Sequence, residues 1–200
     1  MCVIAASPAG TRQPNLEELY AMWLTNPHGA GYMVARKNRV EIHKGFMDFN
    51  DFWRAVSKER FSDADPVVYH FRISTQAGIN PEMTHPFPLT ANLDRHKELN
   101  LTCSIGIAHN GIISLTANGS REYSDTSLFI SRYMTQIIRR KSDLENPKKL
   151  DEILSLAKSK FCILSKDGAI KTIGGFIERD GILLSNGNHL LIQSHLHSIM

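Results

Sequence analysis

The spacing of hydrophobic and polar positions changes several times along the chain, and each change predicts an element. Val3, Ile4 and Ala5 form an apolar run that Ser7-Pro8-Ala9-Gly10 breaks, so a strand begins at the second residue. In NLEELYAMWLTN, 15–26, Leu16, Leu19, Trp23 and Leu24 recur at helical spacing behind the N-cap residue Asn15 and first-turn acids. GAGYMVARKNRVEIHKG, 29–45, predicts a hairpin turned at Lys37-Asn38. A second helix follows over 48–61, with Phe49, Phe52, Trp53 and Val56 on one side, and then a strand in PVVYHFRIS, 66–74. Residues 76–100, with Pro81, Pro86 and Pro88, read as an irregular surface excursion of the sort that often carries a site. LTCSIGIAH, 101–109, predicts one buried strand, and 124–140 and 147–159 predict helices. The last forty residues read as an all-β run with hairpin turns at Asp167-Gly168 and Asp180-Gly181.

Helices segregated from antiparallel strands predict an α+β protein, with two sheets face to face and helices outside each. No linker, repeat or low-complexity stretch divides residues 1–200, so a single domain is expected. Three cysteines, at 2, 103 and 162, are too few and too scattered for a disulfide framework and point to reduced thiols in the cytoplasm. The apolar opening is short and lacks a basic leader, and no run approaches the ~20 residues of a membrane span, so neither a signal peptide nor a membrane partner is expected. The net charge of +3 invites a nucleic-acid reading. Its densest basic stretch, 132–149, reads instead as one helix end and the next helix start, where cations complement a helix dipole. HLHS, 195–198, is two histidines without further ligands, so no metal is expected.

The chemistry lies at the strand ends. Cys2 has two readings. It is a small core residue of a strand. It is also the residue that removal of Met1 would leave with a free α-amine beside its own thiol. That amine titrates at about 7.7–8.0, so it can serve the thiol as a general base, as in N-terminal threonine nucleophiles. HFRIST supplies His70, Arg72, Ser74 and Thr75, THPF supplies Thr84 and His85, AHNGII supplies His109, Asn110 and Gly111, and SDTS supplies Asp125.

Each has a plain structural explanation: a helix cap at Ser124 or Asp125, a turn at Asn110-Gly111, an ion pair at Arg72, a loop at Gly29 and Gly31. Together they describe more. An asparagine amide and the following glycine N–H can stabilise a tetrahedral oxyanion. An arginine grips a carboxylate and an aspartate holds an ammonium, which is a pocket for an α-amino acid. An amino acid whose side-chain amide a thiol attacks is glutamine or asparagine.

Cys2, HFRIST, THPF, AHNGII and SDTS, in this order over roughly residues 2–130, resemble the class II glutamine amidotransferases, which are N-terminal-nucleophile hydrolases. The resemblance implies a four-layer αββα sandwich and a cofactor-free glutaminase. Cys2 would form a glutamyl thioester, Asn110 and Gly111 the oxyanion hole, Arg72 the α-carboxylate site and Asp125 the α-ammonium site. Thr75 and His85 match positions lining the glutamine pocket. Two positions depart from the family pattern: Gln76 replaces a frequent histidine, and His28 stands where relatives often carry an acid. The implied partners are glutamine or another γ-glutamyl compound and a separate synthase that takes the ammonia. A stand-alone γ-glutamyl amide hydrolase and a catalytically silent binding relative are the alternatives; the oligomeric state is open.

Overall fold

The computed structural model describes residues 1–74, 78–117, 120 and 122–197. In chain order its elements are β1 (Val3–Ser7), α1 (Leu16–Thr25), β2 (Ala30–Arg36), β3 (Arg39–Phe46), α2 (Phe49–Glu59), β4 (Val67–Phe71), β5 (Phe87–Pro88), β6 (Asn100–Cys103) and β7 (Ile105–Asn110). There follow α3 (Asp125–Phe129), a π-helical segment Ile130–Met134, α4 (Thr135–Ile137), α5 (Pro147–Ala157), β8 (Lys160–Ser165), β9 (Ile170–Ile173), β10 (Ile177–Arg179), β11 (Ile182–Leu184) and α6 (Leu190–His197).

The strands form two antiparallel sheets, ordered β10-β11-β1-β4-β2-β3-β6 and β5-β7-β8-β9. Alternation along each strand divides the apolar residues among three cores. Leu19, Met22, Phe52 and Val56 of α1 and α2 pack on Val3, Ala5, Tyr32 and Tyr69 of the larger sheet. Ile4, Ala6, Met33 and Val68 on its other face meet Ala108, Cys162 and Leu164 of the smaller sheet. Ile107, Phe161 and Ile163 on the far face of that sheet carry Phe129, Ile130, Met134 and Ile153. The molecule is therefore an α+β sandwich. No helix among the described residues is long and apolar enough to cross a membrane.

Register decides where the strand ends meet. Val3 lies opposite Phe71, and Phe71 lies opposite Ala30, so the start of β1, the end of β4 and the start of β2 share one edge. Gly31 makes a tight approach possible there. A Cβ at this position would run into the His85 carbonyl oxygen and stand 2.7 Å from Lys44 Cβ. The excursion between β4 and β6 is itself pinned to the sheet. Buried Lys44 donates from Nζ to the carbonyls of Glu82 and His96 at 2.8 and 2.5 Å and lies 4.0 Å above the Phe87 ring.

Several local expectations hold in detail. Asn15 caps α1 reciprocally with Glu18, and Lys37 and Asn38, both at positive φ, make the β2–β3 turn. Others need correction. Leu16 and Leu24 are 43% and 42% exposed, because α1 presents Leu19, Ala21 and Met22 to the core instead. The stretch 101–109 is two strands, since the chain leaves the larger sheet after Cys103 and joins the smaller one at Ile105. The predicted 124–140 helix passes through a π-helical segment and ends at Ile137. The tail is not all β: Leu190–His197 form α6. The side chains of His195 and His197, with Ser198, lie outside the described residues.

Candidate active site

Cys2, Arg72, His85, Gly111 and Asp125 line one cavity of about 30 Å³, together with Ile73, Ser74, His109, Ser124 and Thr126. That volume has room for a water molecule or two. A far larger cleft, about 840 Å³ and edged by Arg39, Arg95, Arg139 and Lys166, opens at the other end of β7 beside Ile105, but it contains no comparable set of reacting groups. The chemistry is concentrated in the smaller space.

The Cys2 thiol sits against the chain just past β4. It accepts the Ile73 N–H at 3.4 Å and donates to the Ile73 carbonyl at 3.6 Å. Burial pushes its pKa above the ordinary thiol value, and this outweighs the opposing pull of the Ile73 N–H and Arg72. Cys103 and Cys162 are pushed up to about 12 by burial and belong to the sheets.

Arg72 is buried. Burial lowers its pKa, while the charges of Cys2 and Asp125 act in the opposite sense, so the guanidinium stands in the field of both groups. Its backbone is laced to the glycine loop: Arg72 N–H donates to Gly29 O at 2.8 Å, and His28 N–H donates to Arg72 O at 3.0 Å. The His28 ring accepts the Ser74 N–H at Nδ1, 3.0 Å away. The ring therefore braces this loop.

Asp125 is not the helix cap. Ser124 fills that role by accepting the Ser127 N–H at 3.1 Å, which leaves the carboxylate free for other partners. Asp125 Oδ2 accepts the Ile113 N–H at 2.7 Å and Oδ1 accepts the Thr126 N–H at 2.8 Å. Those bonds fix the carboxylate at the wall of the cavity. Gly111 takes φ +147, and a Cβ there would lie 2.6 Å from Ser159 Cβ, so neither the conformation nor the space suits another residue.

Three buried histidines lie beneath these groups. His109 bonds Thr126 Oγ1 through Nδ1 and Ser159 Oγ through Nε2, each at 2.8 Å. His70 Nε2 donates to His109 O at 3.0 Å, and the His70 and His85 rings are 4.2 Å apart. Burial lowers His70 and His109 to about 3 and holds His85 well below the usual imidazole range, so all three are neutral near pH 7. Neither ring nitrogen of His85 has a hydrogen-bond partner among the described residues. A ligand in the cavity would meet an unsatisfied buried imidazole.

Asn110 is next to this lining but not part of it. It ends β7 on the face toward the larger sheet, where its Nδ2 donates to Ser185 Oγ at 2.8 Å and its Oδ1 has no partner among the described residues. Thr75, read as a pocket residue, and Gln76 lie outside the described residues. Sequence reasoning missed Ser185 and Asn186, whose Nδ2 donates to Cys2 O at 2.7 Å, because a serine and an asparagine after a strand read as turn residues. Among the described residues, no three His, Cys, Asp or Glu side chains gather as a metal site. No protein-family model matches the chain, and no curated protein matches it in sequence.

Proposed function

We propose that this protein is a glutaminase of the class II amidotransferase type, built as an N-terminal-nucleophile αββα sandwich, with Cys2 as nucleophile once Met1 is removed. The observation that carries the reading is one cavity lined by a thiol, a guanidinium, a carboxylate and a glycine backbone, drawn from four separated stretches of chain. Arg72 and Asp125 suit the α-carboxylate and α-ammonium of glutamine, and this would aim its side-chain amide at Cys2.

A thiol whose pKa is raised by burial needs a base, and the freed α-amine of the same residue supplies one. The amine takes the thiol proton as Sγ bonds to the amide carbon. The carbonyl electron pair moves onto oxygen, where the Gly111 N–H and the Asn110 amide would stabilise it. Collapse breaks the C–N bond, and the ammonium returns its proton to the departing ammonia. Water, deprotonated by the same amine, then attacks the glutamyl thioester. Sulfur leaves, recovers a proton, and glutamate is released. Ammonia passes to a separate acceptor enzyme.

A water-sized cavity must widen to take glutamine, so binding includes an opening step. The test is glutamate release from glutamine by protein whose intact mass lacks Met1. The expected result is turnover that Cys2→Ala abolishes. Processed protein with no Cys2-dependent release would count against the reading.

A further inference from the structure

The turn after β11 touches both halves of the site. Ser185, fully buried, accepts the Ile4 N–H at 2.9 Å through Oγ and returns its own N–H to Ile4 O at 3.0 Å. Asn186 holds the Cys2 carbonyl at 2.7 Å. The nucleophile strand is thus fixed at three backbone points by two consecutive residues. On its other side Ser185 Oγ receives the Asn110 amide nitrogen at 2.8 Å. Its carbonyl accepts Lys160 Nζ at 2.6 Å, and Lys160 is the residue opposite Asn110 in the smaller sheet.

The hydrogen bonds around Asn110 do not balance in this orientation. A serine hydroxyl has one O–H to give and two lone pairs. Ile4 and Asn110 use both lone pairs, while the O–H has no acceptor among the described residues and neither does Asn110 Oδ1 have a donor. A half-turn of the Asn110 amide cures both faults and leaves Nδ2 as the one group without a partner among the described residues. The Ser185 O–H then donates to Oδ1, the Ile4 N–H still has its acceptor, and Nδ2 is released. A released, buried Nδ2 is what a developing oxyanion requires.

We infer that Ser185 is a positioning residue: it holds Asn110 with Oδ1 toward itself and Nδ2 toward the reacting carbonyl, in a buried bond network that also fixes the nucleophile strand. This rests on the glutaminase reading above. In this structure Nδ2 lies on Ser185 Oγ, and the inferred orientation is the half-turned one.

The test compares wild-type protein with Ser185→Ala, measuring kcat and KM for glutamine, the rate of Cys2 alkylation by iodoacetamide mapped to its peptide, and the thermal midpoint. The expected result is a kcat lowered about 10–100-fold with KM within about twofold, because a misdirected oxyanion donor acts in the transition state. Cys2 alkylation forms no oxyanion and should keep its rate, because the Ser185 N–H bond to Ile4 O and the Asn186 bond to Cys2 O survive the substitution and still hold the strand. Ser185→Cys, similar in size but a weak hydrogen-bonding group, repeats the test if the alanine variant does not fold, and Ser185→Thr should recover most of kcat. Unchanged kcat in Ser185→Ala would overturn the inference alone. A parallel fall in kcat and alkylation rate would overturn it in favour of a general loss of structure. Wild-type protein without Cys2-dependent glutamate release would remove the glutaminase reading and this inference with it.

Discussion

The Cys2 thiol and the Ile73 backbone bind each other in both directions, Ile73 N–H to Sγ at 3.4 Å and Sγ to Ile73 O at 3.6 Å. The second bond needs a proton on sulfur, and burial keeps it there by raising the pKa. In protein that retains Met1, Cys2 alkylation by iodoacetamide should therefore climb with pH through the ordinary thiol range and beyond. A plateau near pH 7 would mean a resting thiolate and contradict this geometry.

Arg72 and Asp125 should fail differently. Arg72→Lys keeps the charge but loses the two-pronged grip, so KM for glutamine should rise about 10–100-fold, with the thermal midpoint little changed. Asp125→Asn should also raise KM. In addition it sets an amide N–H₂ against the N–H of Ile113 or Thr126, both now accepted by the carboxylate, and should cost about 1–3 kcal/mol in denaturant unfolding. An Asp125→Asn protein as stable as wild type would contradict the described role of those bonds.

Glycine-to-alanine substitutions provide a graded series. Gly78→Ala meets nothing within 4 Å at φ +67 and should cost about 1 kcal/mol from conformation alone. Gly31→Ala must displace the His85 carbonyl and Lys44, and Gly111→Ala combines φ +147 with a contact at 2.6 Å. Each of these should cost about 2 kcal/mol or more, and both should impair glutamine turnover. Equal costs at all three positions, measured by urea unfolding, would disprove the crowding.

His70, His85 and His109 make the fold acid-sensitive. The unfolded chain protonates each ring near pH 6.5, whereas the folded chain keeps His70 and His109 neutral down to about 3, and His85 likewise stays well below the usual range. Their stabilising effect is complete above pH 6.5 and drains as the pH falls, because the unfolded state binds more protons. Each ring contributes up to about 1.4 kcal/mol per pH unit in that window, so three contribute up to about 4. Asp65, held at about 2 by Arg36, adds to the loss only below about pH 4. Unfolding free energy measured from pH 7 to 5 should fall steadily; a flat profile would contradict the buried neutral histidines.

Much of this was readable because local signals agree with the fold. The Asn15 cap and the Lys37-Asn38 turn need only near neighbours. The exchange of sheets between Cys103 and Ile105 was hidden because apolar periodicity reports burial and not which sheet does the burying. HLLI, which begins at His189, reads as the end of a β run, yet its apolar side chains serve a helix equally well. Arg72, His85, Gly111 and Asp125 were legible as motifs, and their common cavity depends on the register of β1, β4 and β7. Ser185 had no local signal. Its role comes from partners 75 and 181 residues away.

The most direct measurement is covalent capture of Cys2 by a glutamine-like γ-glutamyl electrophile, followed by intact mass and peptide mapping on protein lacking Met1. The account predicts a single adduct at Cys2, slowed by added glutamine and lost with Cys2→Ala, with labelling of Arg72→Lys much slower at low reagent concentration. Labelling spread over Cys103 and Cys162, or an adduct at Cys2 that glutamine does not slow, would contradict a glutamine site at this cysteine.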